Sequence, residues 1–305
     1  MTGALWALLA GGGFGVFQAL NRRAIQGMDV YTSTFLQLLV STVVLAAVSL
    51  VTQDLGLLRT APPLALFYFG LAGFVHFFAG WTLLNASQKR IGAARTSPLI
   101  GTTPLFGTII AALVLREIPG ALALGGILLT VAGVYTISSA RAVAPEGITV
   151  ADADVVTASP PDWRGIALGL ATALCWAISP IFIRHGLRAV PSPLIGVTVG
   201  LAASAAAYGG GLWVRQRRTP PRVSREALQF KLAAGVLVGL ATWARWVALA
   251  LAPVAVVLAL ASVSVPTTIL LAPLVAGAHV EQVTPRLWRG AILVVAGSVV
   301  LVFYR

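Results

Sequence analysis

Acidic residues are scarce in this sequence. The 305 residues contain nine Asp and Glu, and all of them (Asp29, Asp54, Glu117, Glu146, Asp152, Asp154, Asp162, Glu226 and Glu281) fall in polar breaks or near the ends of apolar runs. Proton-coupled export of cations normally needs a carboxylate buried at the membrane centre, so the pattern argues against that chemistry. One cysteine, Cys175, excludes an intramolecular disulfide. The three histidines, His76, His185 and His279, lie in different segments, and HExxH, GxSxG, P-loop and CxxC motifs are all missing. The expectation is therefore no enzyme, no metal and no cofactor.

Charge of either sign is also sparse, at 10% of residues against 58% hydrophobic. That is too little polar material to solvate globular cores, so the bilayer must act as solvent. Apolar blocks of spanning length occur near 3–20, 32–52, 63–85, 94–115, 119–139, 164–183, 193–214, 228–251, 254–277 and 286–304. Runs such as Leu122–Tyr135 are continuously apolar, which excludes the alternating strands of a β-barrel. The first block has no basic residue ahead of it and reads as a retained helix. The net charge of +12 is scattered through loops and helix ends, with Arg215, Arg217, Arg218, Arg222, Arg225 and Lys231 assigned to one loop facing anionic lipid. No nucleic-acid partner is expected.

One offset recurs along the chain. It pairs Leu8 with Leu170, Arg22 with Arg184, Trp81 with Trp243 and Pro104 with Pro266, each 162 residues apart. Beyond Pro266 the offset becomes 164 and pairs Glu117 with Glu281, Gly126 with Gly290, and Gly133 with Gly297. Each repeat holds five blocks, an odd number, so the second copy must lie inverted in the membrane, the architecture of alternating access. The expected fold is an all-α integral membrane protein, with ten transmembrane helices as two inverted five-helix repeats. These are residues 1–139 and 164–305, joined by a hydrophilic linker, 140–163.

The pattern of Ala94, Pro98, Pro104, Glu117, Gly125 and Gly133, repeated as Pro266, Glu281, Gly290 and Gly297, resembles the EamA type of the drug/metabolite transporter superfamily. The resemblance covers the whole chain. It implies a permease for small organic metabolites whose central cavity is lined by the first, third, fourth, sixth, eighth and ninth helices. It also implies cytoplasmic termini, whereas the richer Lys and Arg content of the loops on the other side places the termini outside by the positive-inside rule. Orientation stays open.

Arg245 lies inside the eighth block, where a bare guanidinium costs at least about 2.5 kcal/mol. It reads as a solute contact, or as a residue that snorkels or stacks on Trp243 or Trp246. Its repeat counterpart, Leu83, follows His76 by two helical turns, which predicts a shared face for those two positions. His76 is the one mid-helix group able to titrate near neutral pH, and reads as a solute ligand, a proton carrier or a packed imidazole held by a hydroxyl. Arg95 is a solute contact or an interfacial anchor. Gln18 and Asn85 suit either a polar solute or interhelical hydrogen bonds. Phe14, Trp176 and Trp246 are cavity-wall candidates, as are Trp81 and Trp243. Pro98, Pro104 and Pro266 are candidate hinges, since a proline inside a helix frees a carbonyl.

The expected function is secondary transport of a small organic metabolite, anionic or zwitterionic, by alternating access. The alternative is a channel-like or lipid-handling membrane protein. A small-molecule solute and membrane lipid are the expected partners, with a homodimer left open. A bacterial cytoplasmic (plasma) membrane is the expected location.

Overall fold

The structure, a computed structural model, describes residues 2–115, 120–139, 162–216 and 223–303. Glu117 and nearly all of the linker, residues 140–161, lie outside the described residues. Every regular element among those described is helical.

The chain opens with α1 (Thr2–Gln26) and α2 (Val30–Thr52), followed by a short α3 (Gly56–Thr60). Next come α4 (Pro63–Gly73), a π-helical segment (Phe74–Ala79) and α5 (Gly80–Ile91), which together form one long rod. The remaining helices before the linker are α6 (Ala93–Ile100), α7 (Thr103–Leu115) and α8 (Ala121–Ser138). After it come α9 (Trp163–Ala189), α10 (Pro193–Gln216), α11 (Arg225–Leu251), α12 (Val254–Ala261), α13 (Ser264–Ala276) and α14 (Pro285–Phe303). Polar side chains start several of these helices. Asp29 accepts from the backbone N–H groups of Tyr31 and Thr32, Asp162 from Gly165, and Ser224 from Ala227, each satisfying a donor the helix leaves bare.

Seven helices among the described residues are long and apolar enough to cross a membrane: Thr2–Gln26, Val30–Thr52, Pro63–Ile91, Trp163–Ala189, Pro193–Trp213, Arg225–Leu251 and Val256–Ala276. The block at 94–115, read from sequence as one span, is broken between α6 and α7 at Gly101 and Thr102. The block at 254–277 is likewise interrupted at Ser262 and Val263. Prolines 104 and 266 stand in the first turn after each interruption. There a missing N–H costs nothing, so they begin helices and do not kink the interior of one. Pro98 lies inside α6. The carbonyls near the breaks are taken up locally: Thr103 Oγ1 donates to Ile100 O at 2.7 Å, Ser298 Oγ to Gly101 O at 2.7 Å, and Val265 N to Ser262 O at 3.0 Å.

Glycine sets the closest helix contacts. α1 runs antiparallel along α11, with Gly3 against Ala252, Gly13 against Ala241 and Gly27 against Ala227. The α4–α5 rod and α9 repeat the arrangement, with Gly186 against Phe69, Gly80 against Trp176 and Gly165 against Ile91. α8 and α14 cross antiparallel through Gly126 with Gly297 and Gly133 with Gly290. Arg22 and Arg184, one at the end of α1 and one late in α9, each cap a neighbouring helix end. Arg22 donates to Gln88 O in α5 at 2.5 Å, and Arg184 to Ala252 O just past α11 at 2.7 Å. Helices α1 and α5 end, and α11 begins, at one end of the bundle, where Ser224 N donates to Gly27 O. This is called the distal end below, and the end where α1 begins the proximal end.

Candidate functional site

Arg245 projects from α11 and is buried, with 4% of its surface exposed. It does not snorkel, and it stacks on neither Trp243 nor Trp246. Its guanidinium carbon stands 5.9 Å from the centre of the Trp176 ring, Trp243 pairs instead with Trp6, and Trp246 packs on Phe69. Two of its nitrogens, Nε and Nη2, have no hydrogen-bond partner. Arg245 lines a cavity of about 30 Å³, walled on its apolar sides by Phe14, Trp176 and Pro104 and on its polar sides by Gln18, Thr103, Ser262 and Ser264. That is room for no more than a few waters, too little for an organic solute. The cavity sits where α1, α9 and α11 meet the two interruptions of α6–α7 and α12–α13.

His76 is fully buried one layer behind this wall. Its Nδ1 is 2.8 Å from Ser179 Oγ, its ring is stacked on Trp176 at 5.1 Å and 10°, and its Nε2 has no partner. Trp176 therefore carries the imidazole against its face and the guanidinium within cation–π range. The shared face expected for His76 and position 83 is corrected. Leu83 lines a separate pocket with Tyr31 and Tyr208, while His76 meets α9. His76 lies within the π-helical segment Phe74–Ala79, whose wider turns hold more residues than the α-helical spacing assumed.

The other named residues divide by position. Gln18 lines the cavity and also belongs to a buried polar cluster on the distal side. Its Nε2 donates to Ser97 Oγ at 3.2 Å, and its Oε1 accepts from Gln88 at 3.3 Å. Asn85 lies wholly within that cluster, accepting from Asn21 at 2.7 Å and donating to Thr34 at 2.8 Å. Trp246 is fully buried and is not part of the cavity wall. Arg95 is half-buried in the first turn of α6, within electrostatic reach of Glu281.

Two residues escaped the sequence reading. Lys231, assigned there to a lipid-facing loop, is fully buried in the second turn of α11. Its ammonium donates to Asn21 Oδ1 and, at 2.7 Å, to Gln37 Oε1. The basic run before it hid the start of the helix; the signal available was Ser224, three residues before Ala227, as an N-cap. Glu281 is 3% exposed in the turn after α13. It accepts the N–H groups of Ala93 and Ala94 at 3.0 and 2.9 Å and pairs with Arg22. Gly92 allows this, having a φ of +86° and no side chain to meet the carboxylate.

A much larger pocket, about 560 Å³, opens between α2, α5 and α10. Its lining is almost wholly apolar, Tyr31, Ala207 and Gly211 on its rim are exposed, and no charged side chain lines it among the described residues. Chemistry therefore points to the small cavity and not to the large one.

Long apolar helices around a buried, cation-bearing polar cavity are the architecture of an integral membrane protein. The EamA-like transporter family matches residues 1–139 and 163–303, and the chain belongs to it; it is a membrane transporter of the drug/metabolite type. A solved structure described as "Crystal structure of protein" superposes with a TM-score of 0.63 at 19% identity, over 96% of this chain and 95% of that one. That likeness concerns fold alone. No curated protein matches the chain.

Proposed function

We propose that the chain is a secondary transporter carrying a small organic anion, or a zwitterion through its anionic group, by alternating access between two inverted five-helix halves. The ten spans of this reading are α1, α2, α4–α5, α6–α7 and α8 in residues 1–139, and α9, α10, α11, α12–α13 and α14 in residues 164–305. Three observations support it. The α1–α11 contact recurs as the contact of α4–α5 with α9, the interruptions of α6–α7 and α12–α13 fall at matching positions, and the family matches each half separately.

The observation that carries the substrate class is Arg245. A permanent charge in the membrane interior needs compensation, and among the described residues no carboxylate pairs with it. A solute carboxylate or phosphate would take up Nε and Nη2 together, the two-point grip that suits a guanidinium. Gln18 and the hydroxyls of Thr103, Ser262 and Ser264 would bind the remaining polar groups, with Phe14 and Trp176 as walls. The cavity must widen to admit a solute, and the two interruptions, with Pro98, Pro104 and Pro266, are where it would bend. The lateral apolar pocket suits a lipid chain, and a bacterial cytoplasmic membrane is the proposed location.

The test is a thermal-shift screen of purified protein against small carboxylates and organic phosphates, since a ligand selective for the folded state raises its stability. Arg245→Ala should abolish the shift while the protein stays monodisperse, and Arg245→Lys should restore it poorly. Normal binding or transport by Arg245→Ala would overturn the assignment of Arg245 as the anion contact and remove the main support for the anionic reading. Counterflow accelerated by solute on the opposite side would separate a carrier from a pore.

A further inference from the structure

Lys231 and Arg245 are fourteen residues apart on α11, close to four helical turns, so both cations lie on one face of that helix. A hydrogen-bonded path runs from Lys231 to Gln18, which lines the same cavity as Arg245. Gln18 at the cavity accepts from Gln88, Gln88 Oε1 accepts from Asn21, and Asn21 Oδ1 accepts from the Lys231 ammonium. We propose that Lys231, with Gln37, forms a second binding position for the anionic group of the solute, closed here by side-chain amides and uncovered when the distal end opens. The proposal rests on the anionic-solute reading above.

The charge balance at Lys231 points to an anion. Its ammonium is fully buried, and no carboxylate pairs with it among the described residues; its named partners are neutral amide oxygens. Beside it, the fully buried Gln37 has an Nε2 donor with no partner at all. One turn earlier on the same face of α2, the buried Ser33 Oγ is also unpartnered. An ammonium, an amide N–H and a hydroxyl with nothing negative between them are complementary to a carboxylate or phosphate. When the ammonium leaves, Gln37 Oε1 still accepts from Asn85 at 3.5 Å and Asn21 Nδ2 keeps its bonds to Asn85 and Gln88 at 2.7 Å each, while Asn21 Oδ1 gives up its Lys231 donor and takes one from entering water. Over this layer lies a lid in which Glu281 ties Arg22 to the start of α6, and Lys89 donates to Met28 O at 2.7 Å. Polar contacts that water can replace thus help to shut the distal end.

The sequence permits a direct test, because Lys89 and Lys231 are its two lysines. The full chain is placed in phosphatidylethanolamine–phosphatidylglycerol vesicles and treated with sulfosuccinimidyl acetate, which does not cross bilayers. Acetylation of each lysine is then followed by peptide mass spectrometry. Exposed Lys89 reports the accessible distal surface. Lys231 should react more slowly, by roughly ten- to a thousandfold, as expected if an open minor state exposes it. Succinate or inorganic phosphate at millimolar concentration should slow Lys231, but not Lys89, by at least about twofold, as expected near half-occupancy. Absence of Lys231 acetylation where Lys89 reacts, or acetylation that neither anion slows, overturns the proposal. Repeating the labelling in Arg245→Ala separates the two readings. Loss of solute binding in that variant with no anion effect at Lys231 sinks this proposal alone. Normal solute binding with Lys231 still protected sinks the Arg245 assignment alone.

Discussion

Arg22 Nε and Glu281 Oε1 meet at 2.5 Å across the two halves of the chain, in a contact that is ionic and not an aligned hydrogen bond, since the Nε–H finds no acceptor within hydrogen-bonding geometry. The same carboxylate holds the first two free N–H groups of α6, where a negative charge also suits the helix dipole. Removing one partner of a buried pair strands the other. Glu281→Gln should therefore cost about 2–3 kcal/mol in chemical unfolding in detergent micelles, below the fully buried limit because Arg22 is 13% exposed. Arg22→Ala should cost less, because the carboxylate keeps its two backbone donors, and the double variant should fall well short of the sum.

The crossing of α8 and α14 makes a paired prediction. A side chain at Gly133 would run into Gly290 O and Val294, whereas one at Gly125, two turns earlier on the same helix, meets nothing within 4 Å. Gly133→Ala should then destabilise by about 1–3 kcal/mol through forced separation of the helices. Gly125→Ala should be neutral or stabilise by up to about 1 kcal/mol through helix propensity. Equal effects at the two positions, read by thermal unfolding, would count against this packing.

Asp162 joins the two halves at the surface. It caps α9 and binds Arg90 of α5 through Oδ2 to Nε at 2.9 Å and Oδ1 to Nη2 at 3.1 Å. Burial pushes its carboxyl up, but the Arg90 guanidinium and the Gly165 and Arg164 backbone N–H groups outweigh that and hold it below the ordinary value of 3.8. A carboxyl lowered in the folded state contributes stability that is present above the unfolded value and lost as pH falls through the folded one. Asp162→Ala should cost about 1 kcal/mol at neutral pH, mostly as a lost cap. The gap from the parent protein should close as the pH is taken below 3.8.

The helical, membrane-embedded character was legible because burial in a bilayer leaves long apolar runs, and Thr2–Gln26 or Arg225–Leu251 could hardly be anything else. The interruptions at Gly101–Thr102 and Ser262–Val263 were not, since hydropathy is blind to the backbone and both positions sit inside continuous apolar blocks. Arg245 stood out as a charge among Ala, Val and Leu. Lys231 did not, because a basic loop runs into the first turns of α11 and the helix face that decides burial cannot be seen from composition. The partnership of Glu281 with Arg22 and α6 joins positions more than 180 residues apart in a chain of 305, which no local pattern records.

The last prediction concerns His76. Its imidazole and the Arg245 guanidinium share the Trp176 indole, at 5.1 and 5.9 Å from it. Protonating His76 would set a second positive charge beside the first, a step that repulsion opposes in the empty site. A solute anion bound at Arg245 would cancel one of the two charges and make the proton easier to accept. Linkage requires the reverse as well: a proton on His76 must tighten anion binding by the same factor. Ligand-induced thermal shifts should therefore be larger at pH 6 than at pH 8, and His76→Gln, which keeps a polar group facing Ser179 but cannot titrate, should flatten that dependence. Exchange of solute for solute should survive the substitution, because no net proton movement is needed for it, whereas accumulation driven by a proton gradient should disappear. If accumulation persists in His76→Gln but is lost in Glu281→Gln, the proton travels by the distal carboxylate and His76 serves only to hold Trp176 and Ser179 in place.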